Sequence, residues 1–182
     1  MARERRAGAV LTPLPAASAI VLRDAPLEVL LLRRHGGASF MPNAWVFPGG
    51  IVEGEESPRQ AAAREAREEA GVALDPEALV ATSRWITPAG LPKRFDTWFF
   101  LASVPRDTAI AIDGREIVEW MWIAPADALA RRDLQVVLPT RKNLEALRGF
   151  EDVAALLESR RGITIEPIEP VLVDGKPTLK AG

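Results

Sequence analysis

Apolar and polar positions along the chain fall into short blocks, and the period changes from block to block. "AASAIVLRD" is an apolar run rich in β-branched residues, which predicts a strand over Ala17–Arg23. After the turn "APLE", "EVLLLR" predicts a second strand from Glu28 to Arg33. Three more follow at Leu79–Ile86, Phe95–Ser103 and Ile117–Ile123. Between the second and third strands, "RHGGASFMPNAW" reads as an irregular loop and "WVFPGG" as a turn into a helix. That helix has a marked start: Ser57 at N-cap, Pro58 at N1 and Gln60 at N3 form a capping box. Gly71 stands where a helix of this length would end. "APADALARR" predicts a short helix, and Pro139–Arg160 one longer helix. The last stretch, "GITIEPIEPVLVDGKPTLKAG", has no helical period and is expected to be extended. This order predicts an α/β fold, a mixed sheet sandwiched between helices. The expected organisation is a flexible N-terminal tail over 1–15, one domain over 16–165 and an extended C-terminal tail over 166–182.

Composition narrows the chemistry. The 182 residues suffice for one sizeable core, and 48% are hydrophobic. The net charge of −2 gives no general attraction for nucleic acid or anionic membrane, so neither is an expected partner. No cysteine is present, which excludes disulfides, thiolate catalysis and cysteine-bound zinc. His35 is the one histidine, so a multi-histidine metal centre is excluded as well. Any metal must be held by oxygen, which selects hard cations. Arg3, Arg5 and Arg6 precede an apolar stretch in the manner of a signal segment, but Pro13 and Pro15 interrupt it. A cytoplasmic location is expected, and no stretch approaches the ~20 apolar residues that span a bilayer.

The candidate chemistry lies in "GGIVEGEESPRQAAAREAREEAGV", from Gly49 to Val72. On a helical wheel, Glu68 and Glu69 lie about 60° and about 40° to either side of Glu65. Like charges at these spacings destabilise a helix by roughly 0.2–0.5 kcal/mol per pair. A shared divalent cation would turn that repulsion into coordination. Gly49 and Gly50 allow a sharp turn whose carbonyl oxygen is a further candidate ligand. Arg64 can pair with Glu68 at i, i+4, and Ala62, Ala66 and Ala70 form a stripe of small residues for close packing on a sheet.

The spacing Gly50, five residues, Glu56, seven residues, Arg64-Glu65, then Glu68-Glu69, Gly71 and Val72 resembles the Nudix box, with every fixed position present. The soft departure is Ala66, where a larger aliphatic is usual. The resemblance implies the family's α/β/α sandwich and hydrolysis of a nucleoside diphosphate linked to another moiety. It implies that Glu65, Glu68 and Glu69, with the carbonyl of Gly49, bind Mg2+ or Mn2+, and that Arg64 and Glu56 act as an electrostatic brace. A carboxylate from outside the box commonly completes such sites; Glu116 is the first candidate and Glu119 the second. The general base remains open between a box glutamate and this outer one. A homodimer is a further expectation of the family, as is the alternative of a non-catalytic nucleotide sensor.

The flanking segments "FMPNAWVFPGG" and "RWITPAGLPKRFDTWFF" resemble the branch of that family that includes a peroxisomal coenzyme A diphosphatase. Coenzyme A or acyl-CoA, ADP-ribose, dinucleotides and nucleotide sugars are all candidate substrates. Arg34 and Arg94, with Arg33 and Lys93 behind them, are candidates for gripping substrate phosphates. Phe40, Trp45 and Trp85 are candidate stacking surfaces, and His35 is expected to be an ordinary surface residue.

Overall fold

A computed structural model describes residues 11–38 and 40–179. The first ten residues of the expected N-terminal tail, the last three of the C-terminal tail and Ser39 lie outside the described residues. Among the described residues, ten strands and four α-helices follow one another: β1 (Leu14–Arg23), β2 (Glu28–Arg34), β3 (Trp45–Val46), β4 (Gly49–Ile51), α1 (Pro58–Ala70), β5 (Val80–Ile86), β6 (Phe95–Ser103) and β7 (Ile117–Ile123). Then come α2 (Pro125–Ala130), α3 (Leu138–Leu147), α4 (Val153–Arg160), β8 (Pro167–Ile168), β9 (Val171–Val173) and β10 (Lys176–Thr178).

Eight strands form one mixed sheet in the order β3-β2-β1-β6-β5-β8, with β4 paired to β1 and β7 paired to β2. The parallel pair β1–β6 runs from Leu14 opposite Phe95 to Leu22 opposite Ser103, and forms its spine. The period-2 alternation of β1 divides its side chains between two cores. Ala17, Ala19 and Val21 face α1 together with Leu30 and Leu32 of β2. Ile20 and Leu22 face the opposite side, where Leu144, Leu147, Val153 and Leu156 of α3 and α4 cover the sheet. Helices on both faces of a mixed sheet make the expected α/β/α sandwich.

Helix α1 is fixed at both ends. Ser57 Oγ accepts the Gln60 backbone N–H at 3.3 Å, and the Gln60 side chain accepts the Ser57 N–H at 2.7 Å. Gly71 closes the helix at φ 70°, and a Cβ there would come within 3.0 Å of Ala111 Cβ. Ala62, Ala66 and Ala70 have no exposed surface, so α1 lies close on β1 with room for nothing larger. The small residue in the box at Ala66 is thereby explained by packing.

Four expectations are corrected. The long helix expected over Pro139–Arg160 is two helices, because Gly149 adopts φ +89° and Asp152 caps a fresh start by accepting the Ala155 N–H. The first strand begins at Leu14 rather than Ala17, since pairing with β6 carries it through Pro15. The turn at "WVFPGG" contains two short strands, β3 and β4. The C-terminal stretch is extended, but β8 joins the main sheet beside β5, and β9 and β10 form a hairpin. Asp174 and Gly175 both have positive φ at its tip. Such a two-residue Asp-Gly link is a strong hairpin signal, and it was available in the sequence.

Candidate active site

The short strand β4 leads from the glycine turn toward α1, and the contact between them sets the site. Gly49 donates its N–H to Glu69 Oε2 at 2.9 Å. A Cβ on Gly49 would lie 2.1 Å from Ser18 Oγ, and one on Gly50 would lie 2.2 Å from Glu65 Oε1. Gly49 needs glycine because β1 backbone, Ala17 O and Ser18 Cα, lies within 2.8 Å of where its Cβ would be, whereas at Gly50 a Cβ would displace the Glu65 carboxylate.

Glu69 is 6% exposed. Burial is the main cause of its raised pKa, about 8, and the charges of Glu65 and Glu116 add to it; the Gly49 N–H and Arg34 act the other way. Glu65 is also raised, chiefly by burial, with Arg64 opposing. These two carboxylates, Glu116 and Arg34 line one cleft of about 450 Å³. Glu116 arrives from the loop before β7. That loop is shaped by the Asp113 carboxylate, which accepts the N–H groups of Arg115, Glu116 and Ile117.

Arg64 ties the motif together. Its guanidinium donates to both oxygens of Glu56 at 2.8 and 3.2 Å and to the Ile51 carbonyl at 2.9 Å. The same group reaches Glu65 at 2.7 Å and Glu68 at 3.2 Å. Its pKa is raised, first through the bond to Glu56, whose own carboxyl is lowered by that bond. The arginine thus connects the turn before the helix to two glutamates on it.

Not every expected residue meets at the cleft. Glu68 is turned toward Arg64 with 54% of its side chain exposed, and is not part of the lining. Arg33 and Glu119 bond each other at 2.7 Å across β2 and β7, away from the cleft. Trp45 is buried in the core, whereas Phe40, Trp85 and Lys93 do line the cleft. His35 is exposed, and its ring accepts the Gly37 N–H. Arg94 needs correction. Expected to grip phosphate, it is 7% exposed and its guanidinium donates to Leu11 O, Thr87 O and Glu169 Oε1 at 2.7–2.9 Å. It is a structural clamp, since burial in a ring of acceptors leaves it no reach toward a ligand. The reading of the sequence missed the walls from Val137 to Thr140 and from Pro170 and Pro177, which carry no motif.

Among the described residues, no three acidic or histidine side chains are gathered into a closed ion cage. The donor chemistry nevertheless suits a hard cation: every candidate ligand is oxygen, and Glu65 and Glu69 both bring carboxylates to the lining of one cleft.

The NUDIX domain model of the family matches residues 12–144. The chain belongs to the Nudix family. Among its relatives is a nudix hydrolase of Caenorhabditis elegans, 33% identical in a match that covers 63% of this chain and 52% of the relative. The chain thus spans about half the length of that curated relative. An RNA pyrophosphohydrolase of Teredinibacter turnerae is 34% identical over 58% of this Nudix chain and 68% of its own length. The crystal structure of a NUDIX hydrolase from Alicyclobacillus acidocaldarius superposes with a TM-score of 0.71, at 24% identity, covering 81% and 96% of the two chains. No described helix is long and apolar enough to cross a membrane.

Proposed function

We propose that this Nudix protein is a divalent-cation-dependent pyrophosphohydrolase that splits the phosphoanhydride of a nucleoside diphosphate linked to a second moiety. The observation that carries the reading is the buried Glu69, locked to the Gly49 N–H beside Glu65, Glu116 and Arg34 in one cleft. Glu65, Glu68 and Glu69, with the Gly49 carbonyl, are the proposed holders of Mg2+ or Mn2+. Such an ion supplies charge neutralisation of the diphosphate and a more acidic attacking water. Arg64, braced by Glu56, keeps Glu65 in place while its partner ligand is free to bind. Arg34 pairs with a phosphate oxygen, and either Glu116 or a box glutamate takes the proton of the attacking water.

The RNA pyrophosphohydrolases among the relatives act, by name, on RNA. Here the cleft lining holds Arg34 and Lys93 against Glu65, Glu69 and Glu116, and the whole chain carries −2. A polyanionic strand needs many basic contacts, so a small nucleotide is the better fit.

The test is a panel of coenzyme A, ADP-ribose, dinucleotides and nucleoside triphosphates offered with Mg2+ or Mn2+, with products separated by chromatography. Monophosphate products that disappear with a chelator support the reading. Tight nucleotide binding with no turnover under any metal would make the protein a sensor instead.

A further inference from the structure

The cleft is chemically two-ended. Its acidic end holds Glu65, Glu69, Glu116 and Arg34. The rest of the lining is mainly apolar, with Phe40, Leu91, Phe95, Leu138, Pro170 and Pro177 beside the hydroxyls of Ser18, Thr87, Thr97 and Thr140 and the Lys93 ammonium. Phe40 and Phe95 meet edge to face at 5.2 Å, which stiffens this end. A nucleobase or sugar placed here would bring several donors and acceptors out of water, and each left unpaired costs affinity. The described lining offers them no Asn, Gln, Asp or His. The backbone N–H of Phe95 already occupies Thr87 Oγ1 as acceptor. Trp85, 4% exposed, has an indole N–H with no protein partner and almost no surface of its own.

Two residues of this wall come from outside residues 12–144. Pro170 and Pro177 belong to the hairpin segment that follows α4, and its Leu172 packs against the loop between β5 and β6, 3.3 Å from where a Cβ on Gly90 would stand. Arg94 fastens the arrangement by joining Thr87 of that loop to Glu169 just before the hairpin. The wall is therefore a built feature, held by a buried cation.

We propose that this cleft selects nucleoside diphosphates whose second substituent is an uncharged aliphatic chain, seated against Phe40, Leu91, Phe95, Leu138 and the Pro170–Pro177 wall. The inference rests on the hydrolase reading and names the substrate class within it. The reaction is hydrolysis alone: a water oxygen bonds to one phosphorus, the bridging P–O bond breaks, and a nucleoside monophosphate and an alkyl phosphate leave with the two protons released to solvent.

Two series separate this inference from the hydrolase reading. The first is a set of ADP esters of ethanol, hexanol and decanol, with ADP-ribose as the polar counterpart, assayed with Mg2+. Burial of each methylene should raise kcat/KM about threefold to fourfold until the cleft is full. The hexyl ester should exceed ADP-ribose by at least about tenfold on the same scale. Equal rates across the esters, or ADP-ribose ahead of all of them, would overturn the inference while leaving the hydrolase intact. The second series carries a methylene in place of the bridging oxygen, so that it binds without being cut, and its Kd is measured by calorimetry. A length-dependent Kd with no turnover of the natural anhydrides would keep the inference and remove the hydrolase reading. A flat Kd series rejects the apolar seat. Leu91→Asp, in a partly exposed loop position, should cut the decyl-over-ethyl ratio about tenfold by placing a charge in the seat. An unchanged ratio would show that the chain lies elsewhere.

Discussion

The glycine turn and helix glutamates of the acidic end come from a short span of chain, with Gly49 bonded to Glu69 across 20 positions, and Arg34 and Glu116 join them from outside it. The apolar end draws on residues from Phe40 to Pro177 and is fastened by Arg94, two of whose three partners lie 83 and 75 positions away. The first region is arranged at a cost to stability. It buries like charges, crowds glycine against carboxylate and places an arginine to hold them. The second region has ordinary packing and a satisfied buried cation. Sites that work on charged substrates commonly carry strain that the rest of the fold tolerates. Substitutions at the two ends should therefore differ in what they damage.

The largest effect is expected from Glu69→Gln. Gln retains an oxygen to accept the Gly49 N–H but cannot hold a cation as carboxylate does, so activity should fall about a hundredfold or more. Urea melts of the ion-free protein at neutral pH should show no loss of stability, because burial, which raises the Glu69 pKa to about 8, leaves it largely protonated there and the amide replaces a neutral acid. A variant that is both active and unchanged in metal affinity would break the assignment of the acidic end. Gly50→Ala comes next. Its methyl would sit 2.2 Å from Glu65 Oε1, so the carboxylate must move. Activity should drop about tenfold and stability by about 1–3 kcal/mol, as overpacking does.

At the other end the order reverses. Arg94→Met should cost about 2 kcal/mol by leaving the Leu11 and Thr87 carbonyls unpaired, seen as a lower Tm. It should raise KM more than it lowers kcat, because it loosens the wall and not the glutamates. Glu169→Gln, at a half-exposed partner, should cost under about 0.5 kcal/mol. Equal effects from the two would show that the ion pair, not the carbonyl contacts, holds the clamp.

The smallest effect concerns pH. Desolvation would raise Asp113, but its bonds from the N–H groups of Glu116, Ile117 and Arg115 outweigh this and hold it below the ordinary 3.8. A lowered native pKa gives stability that is present above the unfolded value and lost as pH falls through the native one. The small stability gap between the parent and Asp113→Ala should therefore shrink on acidification below about pH 4, as measured by denaturant melts. A gap that widens on acidification would remove the carboxylate from its shaping role beside Glu116.

How much of this was legible beforehand differs by region for the same reason. The capping box at Ser57 and Gln60, the terminating Gly71 and the alanine stripe are local rules, and α1 follows them residue by residue. The α/β/α arrangement was legible too, because the order and period of the blocks limit how a sheet can be covered. Other errors had visible causes. Gly149 divided the long helix, and Asp174-Gly175 announced the hairpin. No local signal could have told Arg94 from Arg34. Both are cations near strand ends, and only the pairing of distant segments put one among carbonyls and the other beside Glu69.

By itself, then, the sequence determined the helix, its glutamates and their spacing, because a helix converts separation along the chain into direction in space. Tertiary structure alone decided that Glu116 comes near Glu69 and that a C-terminal hairpin contributes to the wall of the cleft. Those outcomes depend on which remote surfaces bury one another, and that choice is made by the whole core at once rather than by neighbours along the backbone.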